Sequence, residues 1–131
     1  MYLLDTNICI ALLQGDRLAV QRFNRFFGQC YLSTIIVAEL YKGVYCSGQF
    51  QRNLDTLVSF VELLPLEPFT VDAAEEFGKI QLELRSIGRP TGELDALIAA
   101  VARSRGDIIV TNNIKDFENI ENLQLENWLQ P

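Results

Sequence analysis

Four carboxylates carry most of the chemistry this sequence can offer: Asp5, Glu39, Asp95 and Asp116. Asp5 ends the apolar run Tyr2-Leu3-Leu4 and is followed at once by Thr6 and Asn7. Glu39 lies within a largely apolar stretch from Ile35 to Tyr45. Asp95 falls in the first turn of a segment, Glu93 to Ala102, otherwise made of Leu, Ile, Ala and Val. Asp116 follows Thr111 by five residues. Each acid also has an ordinary reading: a turn or cap for Asp5, a solvent-facing Glu39, a helix-dipole partner for Asp95, a solvated loop acid for Asp116. Three or four carboxylates at one point repel strongly unless something positive sits among them. With no histidine and no Cys-x-x-Cys pair, the ligands of such a site are all oxygen. That selects Mg²⁺ or Mn²⁺ over zinc. It suits hydrolysis of a phosphodiester, in which the metal activates water and steadies the attacking and leaving oxygens.

Composition removes several other chemistries. Without histidine there is no Ser-His or Cys-His nucleophilic pair and no histidine general base. The net charge is −6, from 17 acidic and 11 basic residues, so a global basic field for nucleic acid is absent. Contact with nucleic acid would need a local basic patch, a metal ion, or both. Lys42, Arg85, Arg89 and Lys115 are candidate phosphate contacts, though each taken singly reads first as a solvated surface charge. Cys9 and Cys30 sit in apolar patterns and read as buried, reduced thiols of a cytoplasmic protein. No apolar run approaches the roughly 20 residues of a membrane span, and no basic segment precedes an apolar one as in a signal peptide.

The elements that must position the acids alternate between strand and helix. Tyr2–Leu4 reads as a strand buried on both faces, and Asn7 or Thr6 as the cap of a helix over 8–13. A second helix is expected over 17–27, stopped by Gly28, then a strand over 30–32. Ser33 caps a helix running to about Cys46 that contains Glu39, and another helix follows over 49–63. Leu64-Pro65-Leu66 reads as an edge strand because Pro65 cannot donate to a ladder. Thr70 caps a helix over 71–87, and Thr91 or Gly92 opens the apolar helix over 93–102 that bears Asp95. Ile108–Val110 is the clearest buried strand, and 123–125 a last edge strand, with Trp128 and Leu129 covering the sheet. This alternation predicts one domain, residues 1–131, of α/β class: a parallel sheet of about five strands in three layers, with right-handed crossovers. The strands 2–4 and 108–110 should be central neighbours, and ligands of open α/β sheets bind beyond such strand ends.

The order Leu3-Leu4-Asp5-Thr6-Asn7, then Ser33-Thr34-Ile35-Ile36-Val37-Ala38-Glu39-Leu40, then Asp95-Ala96-Leu97-Ile98-Ala99-Ala100, then Ile109-Val110-Thr111-Asn112-Asn113 with Asp116-Phe117, and finally Glu126-Asn127-Trp128, resembles a PIN-domain protein. More closely it resembles a VapC-type ribonuclease toxin of a bacterial toxin–antitoxin pair. The resemblance implies a PIN-like fold and a Mg²⁺- or Mn²⁺-dependent endoribonuclease acting on cellular RNA of the tRNA or rRNA class. It also implies a homodimer and a VapB-like antitoxin that sets a cationic side chain among the acids. Asp5, Glu39 and Asp95 match the family's first three acidic positions. At the fourth, many members carry an acid two residues after the strand-end threonine, where this chain has Asn113. Asp116 is acidic but displaced; Asn112 or Asn113 is the alternative, positioning a water or a phosphate. Thr6, Asn7 and Thr111 are expected to support the acids from behind. Other readings are a PIN nuclease of RNA processing, a PIN-fold binding module with weakened catalysis, and a receiver-like phosphoacceptor domain.

Overall fold

The structure is a computed structural model and describes residues 1–131, apart from the side chain of Phe50. In chain order the elements are β1 (Tyr2–Leu4), α1 (Thr6–Leu13), α2 (Arg17–Arg25), β2 (Cys30–Ser33), α3 (Thr34–Tyr45) and α4 (Phe50–Val61). There follow β3 (Leu66–Glu67), α5 (Val71–Ser86), α6 (Glu93–Arg105), β4 (Ile108–Val110), α7 (Ile114–Phe117) and β5 (Gln124–Glu126). The five strands form one sheet in the order β3-β2-β1-β4-β5, every pairing parallel, with helices flanking it.

The central pair is the one expected. Tyr2, Leu3 and Leu4 lie opposite Ile108, Ile109 and Val110. Leu3, Leu4, Ile109 and Val110 are wholly shielded from solvent, as a strand covered on both faces requires. A three-residue strand has few ladder bonds, so its burial matters; each such side chain contributes roughly 1.5–3 kcal/mol. From β1 the chain crosses to β2 on one side, while β4 enters on the other, so β1 and β4 flank a topological switch point.

Several element ends differ from the sequence expectation, each for a tertiary reason. Helix α1 begins at Thr6, and its cap is Asp5 itself, whose Oδ1 accepts from the Thr6 N–H at 2.8 Å. Helix α2 ends at Arg25, with Phe26 as its C-cap, and Gly28 lies inside a 3-10 turn over Phe27–Gln29. There Phe26 leaves the helix to stack on Trp128, ring centroids 6.0 Å apart, and to meet Tyr2 at 5.0 Å. Strand β3 is Leu66–Glu67; Pro65 precedes it and gives only its carbonyl, to the Leu32 N–H at 3.0 Å. Strand β5 is shifted one residue to Gln124–Glu126, because Asn122 turns at φ 58° and Gln124 is the residue that meets Ile108. Helix α6 continues to Arg105 and stops at the left-handed Gly106, φ 70°. Trp128 is fully buried.

Candidate active site

The site begins with Asp5, which the end of β1 delivers to the switch point. Its N–H completes the sheet by donating to the Val110 carbonyl at 2.9 Å. The side chain is only 4% exposed, and three donors hold it. Thr6 N–H binds Oδ1, while the Thr111 hydroxyl (2.7 Å) and the Asn7 amide (3.1 Å) bind Oδ2. A carboxylate offers about four acceptor positions, so about one, on Oδ1, remains for a further partner. The capping reading of Asp5 holds, and the cap leaves part of the same carboxylate free for a further partner.

The end of β4 supplies the second wall. Thr111 is fully buried, and its N–H is tied to the Glu126 carbonyl at 2.8 Å. Its hydroxyl accepts from the Asn113 N–H at 3.0 Å while it donates to Asp5. Asn7 reaches across the same gap, its Oδ1 accepting from the Asn112 N–H at 2.8 Å. Thr6 turns the other way and donates its hydroxyl to Glu39 Oε1 at 2.8 Å. Thr6, Asn7 and Thr111 thus brace the acids and cross-link three segments. Asn113 spends its N–H on the turn and its side chain is exposed. Asn127, to which the sequence reading gave no role, donates to Asn112 Oδ1 at 3.2 Å. Its only sequence signal was its position beside Trp128 after the last strand.

Asp95 and Asp116 complete the group. Asp95 is half-buried in the first turn of α6, behind the Gly92 N-cap. Burial pushes its carboxyl up to about 6, and the carboxylates of Asp116, Asp5 and Glu39, in that order, push in the same direction. Glu39 is also held above the usual carboxylate range, first by burial and further by Asp5, against the Thr6 hydrogen bond and the Lys42 ammonium. Asp116 is exposed in α7, and its carbonyl accepts from the Thr91 hydroxyl at 2.8 Å, which pins α7 beside the start of α6. Asp95 on α6 is therefore within electrostatic reach of the other three acids, which come from the end of β1, α3 and α7. Among the described residues, no three acidic or thiol side chains are gathered closely enough to hold a metal ion as they stand. An all-oxygen donor set with mutual repulsion fits a hard divalent cation. The two buried thiols offer no rival: burial pushes Cys9 up and Cys30 up to about 12.

Beside Glu39 the surface opens into a groove of about 480 Å³ between α1, α3 and α4. Ile10, Leu13, Leu40, Val44 and Leu57 give it apolar walls, and Arg52 stands in it. The sequence reading did not single out this groove or Arg52; their signal was the amphipathic pattern of α4, whose partner helices only the fold reveals.

Comparison with known proteins bears on this geometry. A model of the PIN domain matches residues 2–123. A tRNA(fMet)-specific endonuclease VapC of Shigella flexneri is 40% identical over 128 residues, covering 97% of each chain. A ribonuclease VapC of Haemophilus influenzae is 40% identical over 129 residues, 98% of each. Among solved structures, a DNA-bound VapBC from Salmonella typhimurium matches with a TM-score of 0.92 at 35% identity, covering 97% of each chain.

Proposed function

The chain belongs to the PIN-domain family, among its VapC ribonucleases, and on that premise we propose how its residues cut RNA and how they are held in check. It is an endoribonuclease, the toxin of a VapBC-type toxin–antitoxin pair. The single observation that supports the site assignment is that Asp95, pushed up to about 6 first by burial, also feels the carboxylates of Asp116, Asp5 and Glu39. Asp5 and Asp95, with Asp116 beside Asp95 and Glu39 beside Asp5, are the residues that would hold Mg²⁺ or Mn²⁺. When bound, such a cation neutralises the acids, makes a water acidic enough to attack, and stabilises charge on the phosphate. The chain's own residues do the rest. Thr6, Asn7 and Thr111 fix both Asp5 oxygens, so the remaining lone pair has one direction. Glu39, with its pKa raised, is suited to accept a proton from an attacking water. Asp116 takes the fourth acidic position, and Asn112 and Asn113 shape the loop that carries it.

The antitoxin follows from the same surface. The groove between α1, α3 and α4 has apolar residues along its walls, Arg52 within it and the Glu39 carboxylate where it meets the site. A VapB-like segment with apolar side chains ending in an arginine complements the walls and the carboxylate, since guanidinium pairs with carboxylates in two-point fashion. A cytoplasmic location, a single domain over 1–131 and a homodimer complete the proposal. No helix among the described residues is long and apolar enough to cross a membrane. The substrate to test first is initiator tRNA, named for the Shigella relative. An RNA-processing role is the second reading; relatives named as VapC on 97–98% of the chain favour the toxin.

The test is cleavage of a tRNA pool by purified chain with Mg²⁺ or Mn²⁺, beside Asp5→Asn and Asp95→Asn. Each variant is expected to lose at least about 100-fold in rate. A folded variant that cuts at the wild-type rate removes the site assignment.

A further inference from the structure

A second cavity, of about 580 Å³, lies where α5 ends and the chain turns into α6. Phe77 and Pro90 give it an apolar wall; Gln81, Arg85, Thr91 and Glu93 give it polar groups. Two features link it to the segments that carry Asp95 and Asp116. Thr91, on its rim, donates its hydroxyl to the Asp116 carbonyl at 2.8 Å. Glu93 shares the first turn of α6 with Asp95. The turn at Gly88, φ 65°, folds the loop back so that Pro90 and Thr91 stand over the end of α5.

The charges there are arranged unlike those elsewhere on α5 and α6. Arg103 spends its guanidinium on Glu76 and Glu83, and Arg105 spends its own on Glu67 and Asp107. Arg85 is exposed and, among the described residues, makes no ion pair or side-chain hydrogen bond. In a chain of net charge −6, an unpaired arginine sharing a cavity with Thr91 and Glu93 is a local positive point near the start of α6. An apolar wall, an amide, a hydroxyl and a carboxylate around it match a nucleobase, which offers an apolar face and a polar edge. Glu93 can accept from an exocyclic amino group, and Gln81 can both donate and accept.

We propose that this cavity is the subsite for a nucleotide flanking the scissile bond, with Arg85 on its phosphate and Gln81 and Glu93 on its base edge. The proposal rests on the ribonuclease reading above. Arg85 also lies in the last turn of α5, where a cation favours the helix end, so charge alone has a structural use. That role would change the melting temperature and leave substrate affinity alone.

The experiment compares wild type, Arg85→Ala, Arg85→Lys and Gln81→Ala on tRNA and on a randomised single-stranded RNA. Arg85→Ala is expected to raise KM about 5–10-fold with kcat within about twofold. In the Asp5→Asn background, which binds without cutting, it should lower the salt slope of RNA affinity by about 0.7. Arg85→Lys should restore the slope and part of the KM. Gln81→Ala should flatten the base preference at one position next to the cut. If wild type cleaves RNA and the Arg85 variants match it in KM and salt slope, the subsite is wrong and the nuclease reading stands. If wild type cleaves no RNA, both are wrong.

Discussion

Asp95→Asn should make the metal-free protein more stable at neutral pH, although it removes a charge from a favourable helix start. In the folded chain the Asp95 carboxyl is raised from 3.8 to about 6, by burial first and then by Asp116, Asp5 and Glu39. At 1.36 kcal/mol per pH unit, full conversion of that difference is about 3 kcal/mol of destabilisation once the group is ionised. The carboxyl is half-exposed, so solvent screening reduces this to about 1–2 kcal/mol. Against it stands the interaction of the charge with the α6 N-terminus, about 0.3–1 kcal/mol. The balance is a gain of roughly 1 kcal/mol for the variant, about 3 °C in Tm for a chain of this size. The pH dependence has a definite sign. Between about 4 and about 6 the folded state holds more of the Asp95 proton than the unfolded state does, so wild-type stability falls as pH rises through that window. Glu39, raised mainly by burial, adds to the same trend. Asp107 is held below its ordinary value, despite burial, by hydrogen bonds from Tyr31 and Arg105; its contribution is lost only as pH falls below the ordinary carboxylate range. The assay is a thermal melt of both proteins in EDTA from pH 4 to 8. A variant that melts below wild type at pH 7, together with a wild type flat between pH 4 and 6, would refute the convergence of these acids.

Three further outcomes are expected. Millimolar Mg²⁺ or Mn²⁺ should raise the wild-type Tm by mass action, about 2.7 kcal/mol at 100 times the dissociation constant, and Asp95→Asn less; equal responses in the same melts would count against Asp95 as a ligand. Thr111→Val removes the 2.7 Å hydrogen bond to Asp5 and should lower kcat about 10–100-fold while the chain stays folded, as circular dichroism and single-turnover cleavage would report. Arg103→Ala leaves Glu76 and Glu83 without their shared partner on a side chain only 9% exposed, so it should cost about 1–3 kcal/mol in urea unfolding, with KM for RNA unchanged.

Much of this was legible in the residues themselves. The central pairing of β1 with β4 follows from two short runs, Tyr2–Leu4 and Ile108–Val110, too apolar to lie anywhere but between two covered faces. The side of the sheet bearing the site follows too, because Asp5 and Thr111 end those strands. The lack of histidine removed imidazole from any site the chain could build. Sequence could not say that Asp5, rather than Thr6 or Asn7, would cap α1. Nor could it choose between Asp116 and Asn113. The family's spacing points to Asn113, whose N–H closes a turn onto Thr111, while Thr91 holds the Asp116 backbone near the start of α6, where the Asp116 carboxylate acts on Asp95. The end of α2 was set by Phe26 stacking on Trp128, a contact across about a hundred residues that no local propensity encodes. The groove beside Glu39 and the cavity beside Thr91 are likewise spaces between helices distant in sequence. Residue type and period determine which faces are buried and which chemistry is available; which side chains share a cavity depends on packing between elements, and that only the tertiary structure decides.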